Sequence, residues 1–297
     1  MVELLVCLGI FTILLALLLG GVQAAREAGR RASCQNNLRQ LVVATTLYHD
    51  NEGCFPMSVS PFWEGQRPAQ KRDGTGWIVR TLPYLEQGAL FEQFSPIIGT
   101  DFLSGEGLRS PLCRQAIQEQ VRVLHCPSDS SADYPSDKQF QLWDIEVALT
   151  NYKGCMGDNR MGGSASMFPG FEPDCKGSGN CPGIFYRVTY QDRVKMSQIL
   201  DGTSQTFAVG EDVPRENNHS AAFYANGDYA SCHAPLNYFP QTPTPDDWWN
   251  VMSFRSRHPR GASFAYADQS VKFVSDSTNY NLYRALSTKA QGEFVGE

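Results

Sequence analysis

The side chains able to do chemistry are few and scattered. His258 and Asp268 flank the apolar stretch of RHPRGASFAYADQ, where a strand and its turn would let them approach as a metal or ligand site. The structural alternative has Asp268 closing an Asx-type turn and His258 bonding backbone at the strand start. Asp201 and Gly202, in LDGTSQ, read as a turn leading into a strand, and Ser204 lacks the G-x-S-x-G elbow of a hydrolase nucleophile. His49 and Asp50 are neighbours on a helical stretch and face different ways. His49 is therefore expected to cap that helix against the domain. His125, His219 and His233 have no ligand spacing, and no P-loop, dinucleotide fingerprint or H-E-x-x-H occurs. Trp248 and Trp249, with Trp63 and Trp77, offer stacking area for a sugar, although aromatics in a chain that is 11% Phe, Tyr and Trp are more often core. These residues point away from an enzyme.

Nine cysteines are the other reactive group. Cys7 lies in an apolar run and reads as a packing residue. The remaining eight show no paired C-x2-C zinc pattern, and their even number in an ectodomain outside the cytoplasm suggests disulfides. On the order of a hundred pairings exist. Cys175 with Cys181 is the local candidate, since DCKGSGNC closes over a Gly/Ser/Asn turn, and Cys34 with Cys126 is a second. Buried free thiols in a reducing compartment are the alternative.

These residues hang from one long element. Residues 4–22, LLVCLGIFTILLALLLGGV, carry no charge. About 20 apolar residues in a helix cross a bilayer core. Residues 23–51 contain no proline and keep a helical period, with Leu38, Leu41, Val42, Thr45 and Tyr48 on one face. A single rod of roughly 75 Å follows, its first half in lipid and its second carrying a soluble domain. One carboxylate, Glu3, stands at the lip of the apolar run. It would cost about 2.5–3.5 kcal/mol at the bilayer centre and little among headgroups. Net charge is -6, and the one basic cluster, Arg26, Arg30 and Arg31, reads as a membrane-edge stripe, so nucleic acid is not expected as a partner.

Residues 1–51 thus form the anchor and rod, and 52–297 an ectodomain. Gly53 and Pro56 end the rod. WIVRTLPYL reads as a short buried element, EQGALFEQF as an amphipathic helix, residues 112–123 as a short helix and LHCPSD as a strand end with a turn. From residue 147 the period turns to strands in VALTNYKGCMG, GIFYRVTY and TFAVGE. Residues 212–250 read as a variable insert. Residues 261–274 read as a β-hairpin with Phe264, Tyr266, Val271 and Phe273 alternating about Asp268-Gln269, and 280–289 as a closing helix. The expected class is α+β, a long N-terminal helix packed through its Leu38/Leu41/Val42/Thr45 face on an antiparallel sheet with long loops.

MVELLVCLGIFTILLALLLGGVQAAREAGRRASCQNNLRQL resembles the start of bacterial prepilin-type proteins, whose usual opening is G-F-T-L-V-E-L-L. CQNNLRQLVVATTLYHDNEGCFP, LHCPSD, NYKGCMG, ILDGTSQTFAVGE and RHPRGASFAYADQSVKFV resemble, in order, the blocks of a large bacterial family of unknown function with a C-terminal H-x9-DG segment. Gln269 stands where that family has the glycine of DG, and Gly20 where it tends to have proline. The resemblance implies a pilin-like fold and a pilin or pseudopilin subunit of a type II secretion or type IV pilus-like system. Glu3 would then neutralise the N-terminal amine of a neighbouring subunit. It also implies N-terminal methylation and a prepilin peptidase as partner, if the true start lies upstream. A missing basic leader would also reverse the orientation that Arg26, Arg30 and Arg31 alone would set, so a mis-called start is expected. Expected partners are the lipid bilayer and other pilin-like subunits. The place is the inner membrane, single-pass, with the C-terminal domain facing the periplasm or exterior. Some pseudopilins hold calcium through C-terminal loop carboxylates, but calcium takes about six to eight oxygens and no acidic cluster lies near Asp268, so no cofactor is expected. The competing expectation is a membrane-tethered ectodomain that binds a glycan, solute or envelope partner.

Overall fold

A stretch free of proline, rich in Leu, Ala, Gln and Arg, has nothing to stop a helix. In the computed structural model α1 runs unbroken over Val2–Glu52, straight through Gly20 and Gly21. The structure describes residues 2–61, 72–171, 173–175, 181–242 and 244–292. Trp63 and the turn residues 176–180 of DCKGSGNC lie outside them. α1 stops at Gly53, whose φ of 72° is the left-handed conformation a helix end favours, and whose N–H donates to His49 O at 2.7 Å.

The two halves of α1 differ sharply. Every described side chain from residue 2 to 26 is exposed, and Leu4, Leu8, Phe11, Ile13 and Leu18 are each more than half exposed. Further along, Cys34, Leu38, Leu41, Val42, Ala44, Thr45 and Tyr48 are buried at i, i+3, i+4 spacing.

The ectodomain is built on a five-stranded sheet of order β3-β1-β2-β4-β5, with β1 Tyr152–Cys155, β2 Phe207–Glu211, β3 Tyr229–Ala230, β4 Gly261–Tyr266 and β5 Val271–Ser275. Neighbours are antiparallel except β3, which runs parallel to β1. The sheet is therefore mixed, not purely antiparallel. Short helices α2 Trp77–Thr81 and α3 Gly88–Phe94 follow the rod, α4 Trp248–Val251 precedes β4, and α5 Tyr280–Ala285 closes the chain.

The pleat of β4 explains how the sheet has two covered faces. Ala265 joins the cluster that holds Cys34, Leu38, Leu41 and Val42 of α1. Ala262, Phe264 and Tyr266 point the other way, into a cluster with Phe207, Tyr283 and Leu286. Phe207 and Phe264 stack at 4.2 Å between centroids.

Several local expectations are corrected. GIFYRVTY is not a strand. Gly183 N–H donates to Met156 O, Ile184 and Phe185 both donate to Cys155 O, and the chain then turns through Tyr186 to Gln191. Its aromatics are core anchors: Phe185 packs 4.8 Å from Trp77 and 5.9 Å from Phe55. Burial, not pleating, selected them. Residues 112–123 form separate 3-10 turns, with Pro111 and Ser110 starting one of them. LHCPSD lies in no strand. In VALTNYKGCMG only Tyr152–Cys155 is a strand, and it is buried on both faces. Residues 212–250 contribute to the core, with His219, Ser220, Phe223, Tyr224, Asp228 and Cys232 interior and β3 among them. The last helix stops at Ala285.

Candidate functional site

The rod meets the domain through a dense joint on the lower half of α1. Glu27 faces inward one turn past the lipid-length segment. Its Oε1 lies 2.5 Å from His258 Nδ1, and its Oε2 accepts from Arg30 Nη2 and Nε at 2.5 and 2.9 Å. On its other side, His258 Nε2 is 3.3 Å from Glu211 Oε1 and 3.6 Å from Cys126 Sγ. Glu211 closes β2, and its Oε2 accepts from Ser263 N–H at 2.7 Å. Its Oε1 makes no hydrogen bond, although the residue is buried. Cys34, two turns along α1 from Glu27, is disulfide-bonded to Cys126 with 5.2 Å between Cα atoms.

Electrostatics favour the ionic form of this joint. Burial pushes the His258 imidazole down, but Glu211 and Glu27 outweigh it, and the net shift is upward. Burial raises the Glu27 carboxyl, yet the bonds from His258 and Arg30 bring it below its ordinary value. His258, set between two carboxylates that favour its charged form, therefore ties α1 to the ends of β2 and β4.

More contacts extend the joint. The Arg31 guanidinium sits 4.1 Å over the Phe273 ring and donates to Pro259 O, so Arg30 and Arg31 serve the domain as well as any membrane edge. Asn37 donates to His125 O at 2.8 Å and Tyr152 Oη at 3.3 Å. At the far end His49 Nε2 accepts from Met196 N–H at 3.1 Å.

The residues that sequence spacing singled out do not converge. His258 precedes β4 and Asp268 follows it, so they sit at opposite ends of the strand and do not meet across the turn. Asp268 Oδ1 accepts from Ser270 N–H and Oγ at 2.9 and 2.6 Å, an Asx-type turn. Gln269 there takes φ 70°. Asp201 accepts from the N–H groups of Gln291 and Gly292, both at 2.9 Å, and so pins the C-terminal segment, while Gly202 turns at φ 97°. Cys175 and Cys181 are bonded, with 5.3 Å between Cα atoms. Glu3 is exposed in the first turn of α1. Trp77 is wholly buried and donates to Asp228 O at 2.6 Å, so it belongs to no exposed stacking platform. Trp248 and Trp249 meet edge to face.

Sequence reasoning missed Glu27 and Glu211, and also a second buried ionic group. Lys153 Nζ lies 2.9 Å from Asp212 Oδ2, and Arg255 Nε 3.5 Å from Asp212 Oδ1, all three without exposure. The available signal was the pair Glu211-Asp212 closing an apolar strand, where charges are out of place unless partnered. Among the described residues, one group of His, Cys, Asp and Glu brings possible ligand atoms together: Cys34, Cys126, Glu211 and His258, all within 4.8 Å of one another.

A polar cleft runs beside the rod, lined by Asn36, Asn37, Gln40, Gln87, Arg122 and His125 among others. A family model described as a protein of unknown function (DUF1559) matches residues 23–281. Comparison with curated proteins and with solved structures gives no match.

Proposed function

The chain belongs to the DUF1559 family, and from the uncovered half of its rod we propose that it is a pilin-like or pseudopilin-like subunit, held in the inner membrane by one span with its ectodomain on the periplasmic or outer side. A helix long and apolar enough to cross a membrane, with none of that window buried, supports a single-pass anchor. The same face supports assembly, since copies stored side by side in lipid can pack these helices on one another. Glu3, in the first turn, sets axial register against a neighbour's amine. The role is structural, not catalytic, and the system served is of type II secretion or type IV pilus type. Prepilin processing and N-terminal methylation belong to the same reading.

The test uses Cys7, which is exposed on the apolar half of α1. In native membranes a bifunctional maleimide should join copies through Cys7, and Glu3→Ala should abolish that product and filament incorporation while the ectodomain still resists protease. Undiminished cross-linking and incorporation of the Glu3→Ala chain would sink the proposal. The cleft beside Asn37 and His125 supports the second reading, a tethered ectodomain that captures a polar ligand. In that case Arg122→Ala would impair function and Glu3→Ala would not.

A further inference from the structure

We propose that Cys34, Cys126, Glu211 and His258 form a buried zinc site when the Cys34–Cys126 disulfide is reduced, so that the joint between rod and sheet can be closed either by a sulfur–sulfur bond or by a metal ion. This goes beyond the assembly role and does not depend on it.

The donor set is that of a structural zinc centre, two thiolates, an imidazole and a carboxylate. Its four ligand atoms lie within 4.8 Å of one another, and all four residues are buried. Zinc bonds of about 2.3 Å to sulfur and about 2.0 Å to nitrogen and oxygen make tetrahedral edges of about 3.5 Å for S–N and about 3.3 Å for N–O. The His258 Nε2 to Cys126 Sγ distance is 3.6 Å and the His258 Nε2 to Glu211 Oε1 distance is 3.3 Å. Two edges of the tetrahedron are therefore already in place. Closing the set needs the two sulfurs to move apart to an edge of about 3.8 Å once their bond is broken, and the other edges to draw in from at most 4.8 Å.

The surroundings carry the argument further. Glu211 Oε1 is a buried carboxylate oxygen without a hydrogen bond, and it faces His258 Nε2. What satisfies such an atom here is the proton of a charged His258 or a metal ion in that proton's place. The carboxylate is held from behind by the Ser263 N–H. His258 is oriented by Glu27 at 2.5 Å on Nδ1, leaving Nε2 toward the sulfurs, and Glu27 is itself gripped by Arg30. A ligand histidine whose second nitrogen bonds a carboxylate is the usual outer arrangement of a zinc site. The oxygen-seeking calcium ion does not suit this set, which offers sulfur and nitrogen.

The chemistry balances. A phosphine reductant gives two electrons to the Cys34–Cys126 bond and, with water, leaves as phosphine oxide. Each sulfur takes one proton. Zinc then displaces both thiol protons and the proton that His258 Nε2 carries toward Glu211, all of which pass to the buffer, and takes the lone pair so freed, while the Nδ1 proton stays with Glu27. Cys34 comes from α1, Cys126 from the segment before β1, Glu211 from the end of β2 and His258 from the segment before β4. The ion would thus replace a two-point link by a four-point one.

The experiment takes the full chain in detergent, anaerobically, with cobalt(II) as probe and zinc as competitor. The phosphine-reduced chain should bind about one cobalt, with the thiolate charge-transfer band and visible bands of a tetrahedral centre, and zinc should bleach them. The oxidised chain should show neither band. Glu27→Gln should weaken binding about 10- to 100-fold with the same spectrum, as loss of an orienting partner does. Replacing the other buried thiols, Cys54, Cys113, Cys155 and Cys232, by Ala, in pairs, should leave the bands intact. Should Cys34→Ala or Cys126→Ala fold poorly, alkylation of the wild-type chain, mapped by peptide mass, identifies the ligands: zinc should protect Cys34 and Cys126. The proposal falls if the reduced chain gives no tetrahedral spectrum, if the spectrum survives loss of Cys34 and Cys126, or if zinc protects other cysteines instead.

Discussion

Replacing Asp212 by Asn should be among the most damaging single changes in the ectodomain. Asp212 is the sole carboxylate paired with both Lys153 and Arg255 among the described residues, and all three side chains have no exposure. Asn217 Nδ2 also donates to it at 2.9 Å. Burial raises its carboxyl, but Lys153 and Arg255 together bring it below the ordinary range, so it is charged. The cations fare worse. Burial pushes both Lys153 and Arg255 down, and the shared carboxylate does not fully offset it. Lys153 leans on further acceptors, Asn217 Oδ1 and His219 O, and Arg255 on Val251 O. Asn in place of Asp212 would leave two buried cations without their paired carboxylate, a loss of about 3–5 kcal/mol. For an ectodomain of this size the melting temperature should fall by about 6–20 °C. Lys153→Met leaves Asp212 and Arg255 as a one-to-one pair and should cost less than half as much. Near-ultraviolet circular dichroism during heating reads the transition through the aromatic core, with the exposed Lys138→Met as control. If Asp212→Asn melts within about 2 °C of the wild type, or if Lys153→Met is the more harmful change, the ionic account is wrong.

Two further outcomes follow from local geometry. His233 is buried with Nε2 bonded to Trp249 O at 2.8 Å, and burial, against the pull of that bond, pushes the imidazole down to about 4. A base held neutral in the folded state contributes its stability fully above the unfolded value and loses it as pH falls from about 6.5 toward about 4. The stability advantage of the wild type over His233→Asn should therefore shrink by about 2–3 kcal/mol between pH 7 and pH 4.5 in denaturant titrations; a constant gap would contradict it. Gln269 holds φ 70° in the turn from β4 to β5, which costs a residue with a Cβ about 1 kcal/mol. Gln269→Gly should raise the melting temperature slightly, the gain reduced by glycine's larger unfolded entropy, and a clear drop would show that the Gln side chain itself holds the turn.

The long helix was legible because its signal is additive: no proline, an apolar run, then a regular buried face through Leu38, Leu41, Val42, Thr45 and Tyr48. The hairpin of β4 and β5 was legible because alternation and a polar turn coincide in GASFAYADQSVKFV. GIFYRVTY misled for a physical reason. Aromatic and β-branched residues mark burial beside a strand as well as within one, and Gly183 is placed there by close approach to the Met156–Gly157 backbone. The joint could not be read from spacing at all. Its members, Glu27 and Cys34 on α1, Cys126, Glu211 and His258, come from four segments, and apart from the Glu27–Arg30 pair none has a partner at helix or turn distance. Only the packing of α1 across the ends of β2 and β4 brings them together.

That packing has a mechanical consequence for the proposed assembly. Glu3 lies about 36 Å up the helix from Glu27, at 1.5 Å per residue. A tilt of about 5° at the joint would move Glu3 by about 3 Å over that lever, as much as the length of a hydrogen bond. If Glu3 sets register against a neighbouring subunit, the joint must therefore be stiff, and apolar packing alone leaves a helix some freedom to swivel. The chain meets the need with unlike constraints on several turns: the Glu27–His258–Glu211 ion group, the Arg31 stack on Phe273, the Cys34–Cys126 bond, and the His49 bond to Met196 N–H at the far end. All of these contacts fall within residues 23–281, the span the family model matches, whereas nearly all of the bare apolar segment lies before it.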